Sequence, residues 1–233
     1  MKPLGVITIA TGPLWMRYAR NLIQSLAAEF PPHEVILLSE NPEPGTVHVH
    51  HEDLGWPKAS LLRYHAFLRQ ADLLSQYKQV MYMDADMLAV TPISMDELRT
   101  DRILPVVHPC FPPNSFERRP ESTAFVSGNR TYYQTCLVVG ATRPFLDMCE
   151  AIVGNIDIDS SRGIVACNYD ESHYNRYLVD HPAAIVLSPT FAYPGQLPED
   201  VHAARNNSMY PQMRGLKPRI RHVYKEDMAD RVW

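Results

Sequence analysis

Asp84 and Asp86 stand one residue apart at the end of the apolar run Val80-Met81-Tyr82-Met83. A short apolar run with a β-branched and an aromatic residue reads as a buried strand. In open α/β sheets, ligands gather at the carboxyl ends of the strands. Two carboxylates placed there suit a hard divalent cation, which takes oxygen ligands and bridges readily to phosphate oxygens. The chemistry expected is a metal–diphosphate site. The pattern alone is cheap: with 14 aspartates in 233 residues, an Asp-x-Asp arises about once by chance. Asp157-Ile158-Asp159 is a second copy, but it precedes a Ser-Ser-Arg-Gly turn and closes no apolar strand, so Asp84 and Asp86 are the pair selected. An aspartate-nucleophile phosphatase also carries Asp-x-Asp after a strand, with Thr or Val two residues beyond the second aspartate; this chain has Leu88 there.

Three further groups bear reactive side chains. Arg63 shares a face with Trp56, Ser60 and Phe67 on a helix expected from Trp56 to Gln70, because those spacings fall on one helical stripe. Its guanidinium serves either as a stem packed against the core or as an anion ligand aimed into a cleft. Asp170 and Glu171 open a stretch, Asn168 to Leu178, that begins polar and becomes helical. Asp170 suits an N-cap there, and the helix dipole favours Glu171. His48 and His50 share one face of a strand and could grip zinc, but no third ligand sits at a recognisable spacing, so a solvated edge strand is expected.

The elements that must position these groups follow the hydrophobic pattern. Leu4 to Ala10 is a first strand, Thr11-Gly12-Pro13 a turn, and Leu14 to Phe30 a helix; strands follow at Val35–Leu38 and Val47–His50. Strand, helix, strand at this spacing opens a parallel α/β sheet. A short helix near Met95 to Arg99, a strand from Ile103 to His108, and a proline-rich crossing from Pro109 to Arg130 come next. A strand from Thr131 to Gly140, a helix from Arg143 to Val153, strands at Ala184–Leu187 and Ile220–Tyr224, and a charged tail from Lys225 complete the chain.

Composition sets the bounds. Apolar residues make up 45% and charged residues 21% of the chain, ordinary values for a soluble globular protein. A formal charge of −4 gives no general attraction to nucleic acid or anionic membranes. The four cysteines (Cys110, Cys136, Cys149, Cys167) lack a C-x-x-C and read as free thiols in a reducing compartment. No segment approaches the roughly 20 apolar residues of a membrane span, and the N-terminus does not resemble a signal peptide. A soluble, cytoplasmic protein is expected.

Several separated motifs then fall in one order: Trp56 with Ser60 and Arg63, Asp84-Ala85-Asp86-Met87, His108-Pro109, and Glu117-Arg118-Arg119-Pro120-Glu121-Ser122. Tyr132-Tyr133 ending in Gly140, Asp170-Glu171-Ser172-His173, Leu187-Ser188-Pro189, and Lys225 with Arg231 follow. In this series the chain resembles the family 6 retaining glycosyltransferases, the group of the blood-group A and B transferases and the α-1,3-galactosyltransferase, over residues 6 to 231. The resemblance implies a GT-A fold: an α/β domain with a mostly parallel central sheet flanked by helices and an acceptor-binding part in the C-terminal half. Residues 1–107 would mainly bind UDP and metal, 108–224 mainly sugar and acceptor, and 225–233 would form a flexible donor-closing tail.

The resemblance further implies α-1,3 transfer of galactose or N-acetylgalactosamine from a UDP-sugar to a glycan hydroxyl, with retention and with Mn²⁺ or Mg²⁺. It implies metal binding by Asp84 and Asp86, and diphosphate binding by Lys225 and Arg231. Arg63, Asp170 and Glu171 match donor-sugar contacts, Glu171 being the candidate nucleophile. Ala10, Gly12 and Trp15 fall at the nucleotide, with Ala10 in place of the family's uracil-contacting aromatic, which leaves base stacking to Trp15. Gln134 and Cys136 fall where the family sorts its donors: Cys136 narrows the pocket toward galactose, and Gln134 offers a hydrogen bond to an acetamido group. His108 joins the sugar and acceptor residues. Asn168 and Pro194 stand where relatives have an acceptor-stacking tryptophan and an acceptor-binding aspartate, so the resemblance carries the acceptor's class and not its identity. A soluble microbial or phage-type member, without membrane anchor or stem, is expected. The competing non-enzymatic expectation is a sugar-binding module on a decayed transferase fold.

Overall fold

The apolar residues of the strands alternate between two sets of neighbours, and that alternation builds the molecule. In the computed structural model, residues 1–109, 115–195, 213 and 216–223 are described. Strands β1 (Lys2–Ile9), β2 (Glu34–Ser39), β3 (Thr46–His50), β4 (Tyr77–Met83), β6 (Ile103–Val107) and β7 (Tyr133–Ala141) form one six-stranded sheet in the order β3-β2-β1-β4-β7-β6. The β3-β2-β1-β4 pairings are parallel, whereas β7 runs antiparallel to both β4 and β6. The sheet is the mostly parallel, helix-flanked α/β sheet expected for the GT-A class. Short strands β5 (Met87–Ala89) and β8 (Ile220–His222) pair antiparallel in a second sheet.

On one face, Val80, Tyr82 and Val138 join Phe67, Phe145, Ile152 and Tyr174 in one buried cluster. These come from α3 (Arg63–Leu68), α6 (Thr142–Ser161) and α7 (Tyr169–Asp180). On the other face, Met81, Met83, Leu137 and Val139 pack with Leu22 and Leu26 of α1 (Gly12–Glu29). Successive strand residues pointing to opposite faces is the period-two rule of a sheet covered on both sides.

Three expected elements differ. The helix expected over Trp56–Gln70 is two pieces, α2 (Lys58–Leu61) and α3, with breaks at Leu62 (φ −102°, ψ 11°) and at Gln70 (φ −108°, ψ 18°), beyond which a further short helix, α4 (Ala71–Leu74), begins. The first break falls just before Arg63, so Phe67 enters the core while Arg63 points to the end of β4. The helix expected to stop near Val153 runs to Ser161, because Ile152, Ile156 and Asp159 continue its buried stripe. It therefore absorbs the second Asp-x-Asp. The run Ala184–Leu187 forms only an isolated bridge, Leu187 to Val106, with Ile185 and Val186 exposed. His48 and His50 do lie on an edge strand, where a His48 ring nitrogen contacts the Ser39 carbonyl at 3.0 Å.

Phe67 lies wholly buried with its ring centroid 4.9 Å from Tyr82 and 6.0 Å from Phe145. Phe67→Ala opens a cavity under the strand that carries Asp84, and a destabilisation of about 3–5 kcal/mol is expected in chemical denaturation.

Candidate functional site

Arg63 is the hub of the site. It is buried, its Nε lies 3.0 Å from an Asp170 carboxylate oxygen, and its Nη1 lies 3.2 Å from Asp84 Oδ1. Nη1 also donates to the Tyr82 hydroxyl at 3.1 Å and to the Thr135 carbonyl at 3.4 Å. One guanidinium thus ties β4, β7 and the start of α7 together. Burial works against its charge, but Asp170, Tyr82 and Asp84 outweigh this and hold its pKa well above the ordinary arginine value. Burial pushes Asp170 up to about 6, with Arg63 pulling the other way.

Asp84 leaves the end of β4, its backbone N–H donating to the Cys136 carbonyl at 2.8 Å, and Tyr82 donates to its carboxylate. Asp86 is buried two residues on, 3.6 Å from His222 Nδ1. Val223 N–H bonds the Asp86 carbonyl at 2.7 Å, so the late strand β8 is stitched beside the aspartate turn. Both aspartates line a cleft of about 360 Å³ together with Thr11, Trp15, Asp53, Trp56, Ser60 and Arg63.

Glu171 lies one residue past Asp170 in the first turn of α7. It accepts the Thr135 N–H at 3.0 Å and the Thr135 hydroxyl at 3.2 Å, and Tyr132 hydrogen-bonds it as well. Burial still raises its pKa to about 7. Tyr169, entering the helix at φ 49°, takes the left-handed region uncommon for a bulky residue. Its ring meets Trp56 edge-on at 5.4 Å. Asp170 is not the helix cap expected from its residue type: Asn168 occupies the cap, and Asp170 is turned inward to Arg63.

The other expected site residues join this network to different degrees. Trp15 lines the cleft, whereas Ala10 is buried beneath it among Met16, Leu37 and Ala85. Gly12 sits at φ +71° with its N–H donated to Glu40 at 2.7 Å. The Cys136 thiol donates to the Gln134 amide oxygen at 2.9 Å, and Gln134 Nε2 to the Ala192 carbonyl at 3.3 Å, so the two side chains are tied to one another. Their residue types gave no hint of that pairing. His108 packs edge-on to Tyr132 at 5.9 Å, and burial, with His222 adding to it, pushes its pKa down to about 3. Asn168 donates to the Tyr132 hydroxyl at 3.0 Å. Lys225 and Arg231 lie outside the described residues.

Sequence reasoning missed Tyr82, Thr135 and His222. Tyr82 was within reach, since it lies two residues before Asp84 on the same strand and so on the same face. Thr135 and His222 gave no local signal. The rejected copy, by contrast, is structural: Asp159 accepts from the Ser122 hydroxyl at 2.6 Å and the Thr123 N–H at 2.8 Å, fastening the proline-rich crossing to α6.

Comparison with known proteins adds an independent finding. Residues 56–212 match the sequence model of Glycosyltransferase family 6. The O-antigen biosynthesis glycosyltransferase WbnI of Escherichia coli is 24% identical over 155 residues, 64% of this chain and 66% of that protein. The globoside alpha-1,3-N-acetylgalactosaminyltransferase 1 of Homo sapiens is 28% identical over 178 residues, 72% of this chain and 48% of that protein. The histo-blood group ABO system transferase 2 of Rattus norvegicus is 33% identical over 85 residues, 36% of this chain and 25% of that protein. The chain thus spans from a quarter to two thirds of the length of these relatives.

Because the folded pKa of Glu171 (about 7) exceeds its unfolded value (4.5), the native state binds the extra proton between those pH values. Stability falls as pH rises through that window, and the cost is complete above about pH 7. Glu171→Gln is therefore expected to raise stability at pH 8 by about 1–2 kcal/mol, a few degrees in Tm at this size, the figure being discounted because the residue is only partly buried. At pH 5 thermal melting should show little change.

Proposed function

The chain belongs to glycosyltransferase family 6, and on that premise we propose that it is a retaining α-1,3-glycosyltransferase. It moves galactose or N-acetylgalactosamine from a UDP-sugar to a galactoside-type hydroxyl, with Mn²⁺ or Mg²⁺ as cofactor. The observation that carries the reading is the Arg63 junction: Arg63 lines one cleft with Asp84 and Asp86 and joins Asp84 to Asp170, the residue before Glu171 on α7. Family membership and the name of the globoside relative, an alpha-1,3-N-acetylgalactosaminyltransferase, support the linkage and the donor class.

The residues at the turn fit a hard cation. Asp84 and Asp86 offer carboxylate oxygens on one cleft wall, the Asp84 side chain being 30% exposed. One or two carboxylates completed by substrate phosphates is the usual way magnesium is held at a phosphate site. Bound there, the cation supplies Lewis-acid stabilisation of the negative charge that grows on the leaving diphosphate.

The chain's own groups do the rest in this reading. Trp15 stacks on the base, and Lys225 and Arg231 add fixed positive charge for the diphosphate. Arg63 and Asp170 orient the donor sugar. Glu171 provides a carboxylate facing the anomeric carbon, where an oxocarbenium-like centre develops positive charge. A carboxylate with a pKa of about 7 is charged above that pH, so transfer gains strength as pH rises through it.

UDP release from UDP-galactose or UDP-N-acetylgalactosamine, with a panel of galactosides and product mass as readout, tests the reading. Activity is expected to need Mn²⁺ or Mg²⁺ and to vanish in Asp86→Ala; full turnover in excess EDTA would remove the metal from the proposal. Glu171→Gln should lower kcat by about 10²–10³-fold with UDP affinity retained. Near-wild-type turnover would take Glu171 out of the mechanism.

A further inference from the structure

The Tyr132 hydroxyl touches two partners whose chemistry fixes the direction of its proton. Asn168 Nδ2 lies 2.9 Å from the Ser115 carbonyl and 3.0 Å from the Tyr132 hydroxyl oxygen. A carbonyl only accepts, so the amide nitrogen, not the amide oxygen, must face Ser115. The second N–H of the same nitrogen then points to Tyr132, whose oxygen accepts it. The Tyr132 proton is left for its other neighbour, the Glu171 carboxylate.

We propose that Asn168 and Tyr132 form a positioning relay for Glu171, in which the Asn168 amide commits the Tyr132 hydroxyl as a donor to the Glu171 carboxylate. The catalytic consequence rests on the role proposed for Glu171; the hydrogen-bond relay itself does not.

Both ends of the relay are held rigidly. The Tyr132 ring is buried, with Phe116 edge-on at 5.0 Å and His108 on another side. Asn168 N–H donates to the Ser172 hydroxyl at 3.0 Å. Just upstream, Cys167 N–H donates to Glu117 at 2.8 Å, and Arg119 grips Glu117 through two nitrogens at 2.9 and 2.6 Å while donating to the Val165 carbonyl. The Arg119 hydrogen bonds hold the Glu117 carboxyl down at about 2. The Ser115 carbonyl and the Asn168 amide therefore belong to two loops locked against each other, and their spacing is transmitted through Tyr132 to Glu171.

Glu171 takes its other two hydrogen bonds from Thr135, in the rigid body of β7. Tyr132 is the donor that reports on a loop. The other titratable groups acting on or felt by Glu171 are Asp170 on its own helix, which adds repulsion, Tyr174 one turn on, and Cys136 on β7. None of these donates a hydrogen bond to it in the described contacts. A donated hydrogen bond favours the charged carboxylate, so the relay opposes the burial that raises Glu171.

The test is a carboxyl-carbon NMR titration of glutamate-labelled protein, with Glu171 assigned by its loss in Glu171→Gln. In Tyr132→Phe the Glu171 midpoint is expected to rise by on the order of one pH unit. Asn168→Leu, which removes the amide but leaves the phenol, should raise it by a smaller amount. In the Tyr132→Phe background Asn168→Leu should add nothing, since the relay is already cut. The acid limb of the kcat profile should move with the NMR midpoint while KM for the donor stays put. An unmoved midpoint in Tyr132→Phe, or an Asn168→Leu shift of equal size in both backgrounds, overturns the relay. So does a raised acceptor KM with an unchanged midpoint, which would make Tyr132 an acceptor contact instead. If the wild type turns over no UDP-sugar, the proposed function fails, and the NMR arm still decides the relay.

Discussion

A buried guanidinium between two carboxylates sets the terms for this structure. Arg63 has given up nearly all its water, a loss repaid only where partners stand at hydrogen-bond distance with good geometry. Asp170, Asp84, the Tyr82 hydroxyl and the Thr135 carbonyl are those partners. Because they come from β4, β7 and α7, the arginine ties the start of α7 to the ends of two strands already paired in the sheet. A lysine could not do this, since it has no planar fork to reach several directions at once.

The antiparallel strand β7 is the second constraint. Running against β4, it brings its N-terminal residues, Gln134 to Cys136, to the ligand-binding end of the sheet, where a parallel strand would bring its C-terminus. Thr135 can therefore serve both sides of the site, its carbonyl facing Arg63 and its N–H and hydroxyl facing Glu171. The helix dipole of α7 favours the two acidic residues in its first turn, while burial disfavours their charge. Asp170 resolves the conflict through Arg63. Glu171 has neutral donors instead, and so stays near the midpoint of its titration at neutral pH.

How far the sequence revealed this depended on the range of each interaction. The sheet was legible because its strands are apolar runs and its first unit is a plain strand–helix–strand alternation. The Asp84/Asp86 turn was legible because the strand before it is so apolar. Arg63 was visible as an arginine on an aromatic stripe, but not as the hub, because its partners lie far along the chain. The break at Leu62 left no mark in the pattern, since the apolar spacing continues through it; tertiary contacts, not local propensity, decide it. Asp159 showed the opposite error that spacing invites: the same two-aspartate pattern at a helix end serves to fasten a loop. Tyr132 and Asn168 were each noticed for what relatives carry nearby, and neither for the hydrogen bond between them.

The pairing of β5 with β8 has a consequence for how the molecule comes into being. His222 and Val223 reach Asp86 only after the chain has run through the whole of the later sheet and both long helices. Domains begin to fold from the N-terminus during synthesis, yet here the aspartate turn waits for the last described strand to close beside it. A ribosome-bound intermediate can build the β3-β2-β1-β4 half early, from parallel neighbours already made. Until β8 is made, the turn that carries Asp86 lacks its Val223 and His222 contacts, so this side of the aspartate turn is completed by a segment far downstream in the chain.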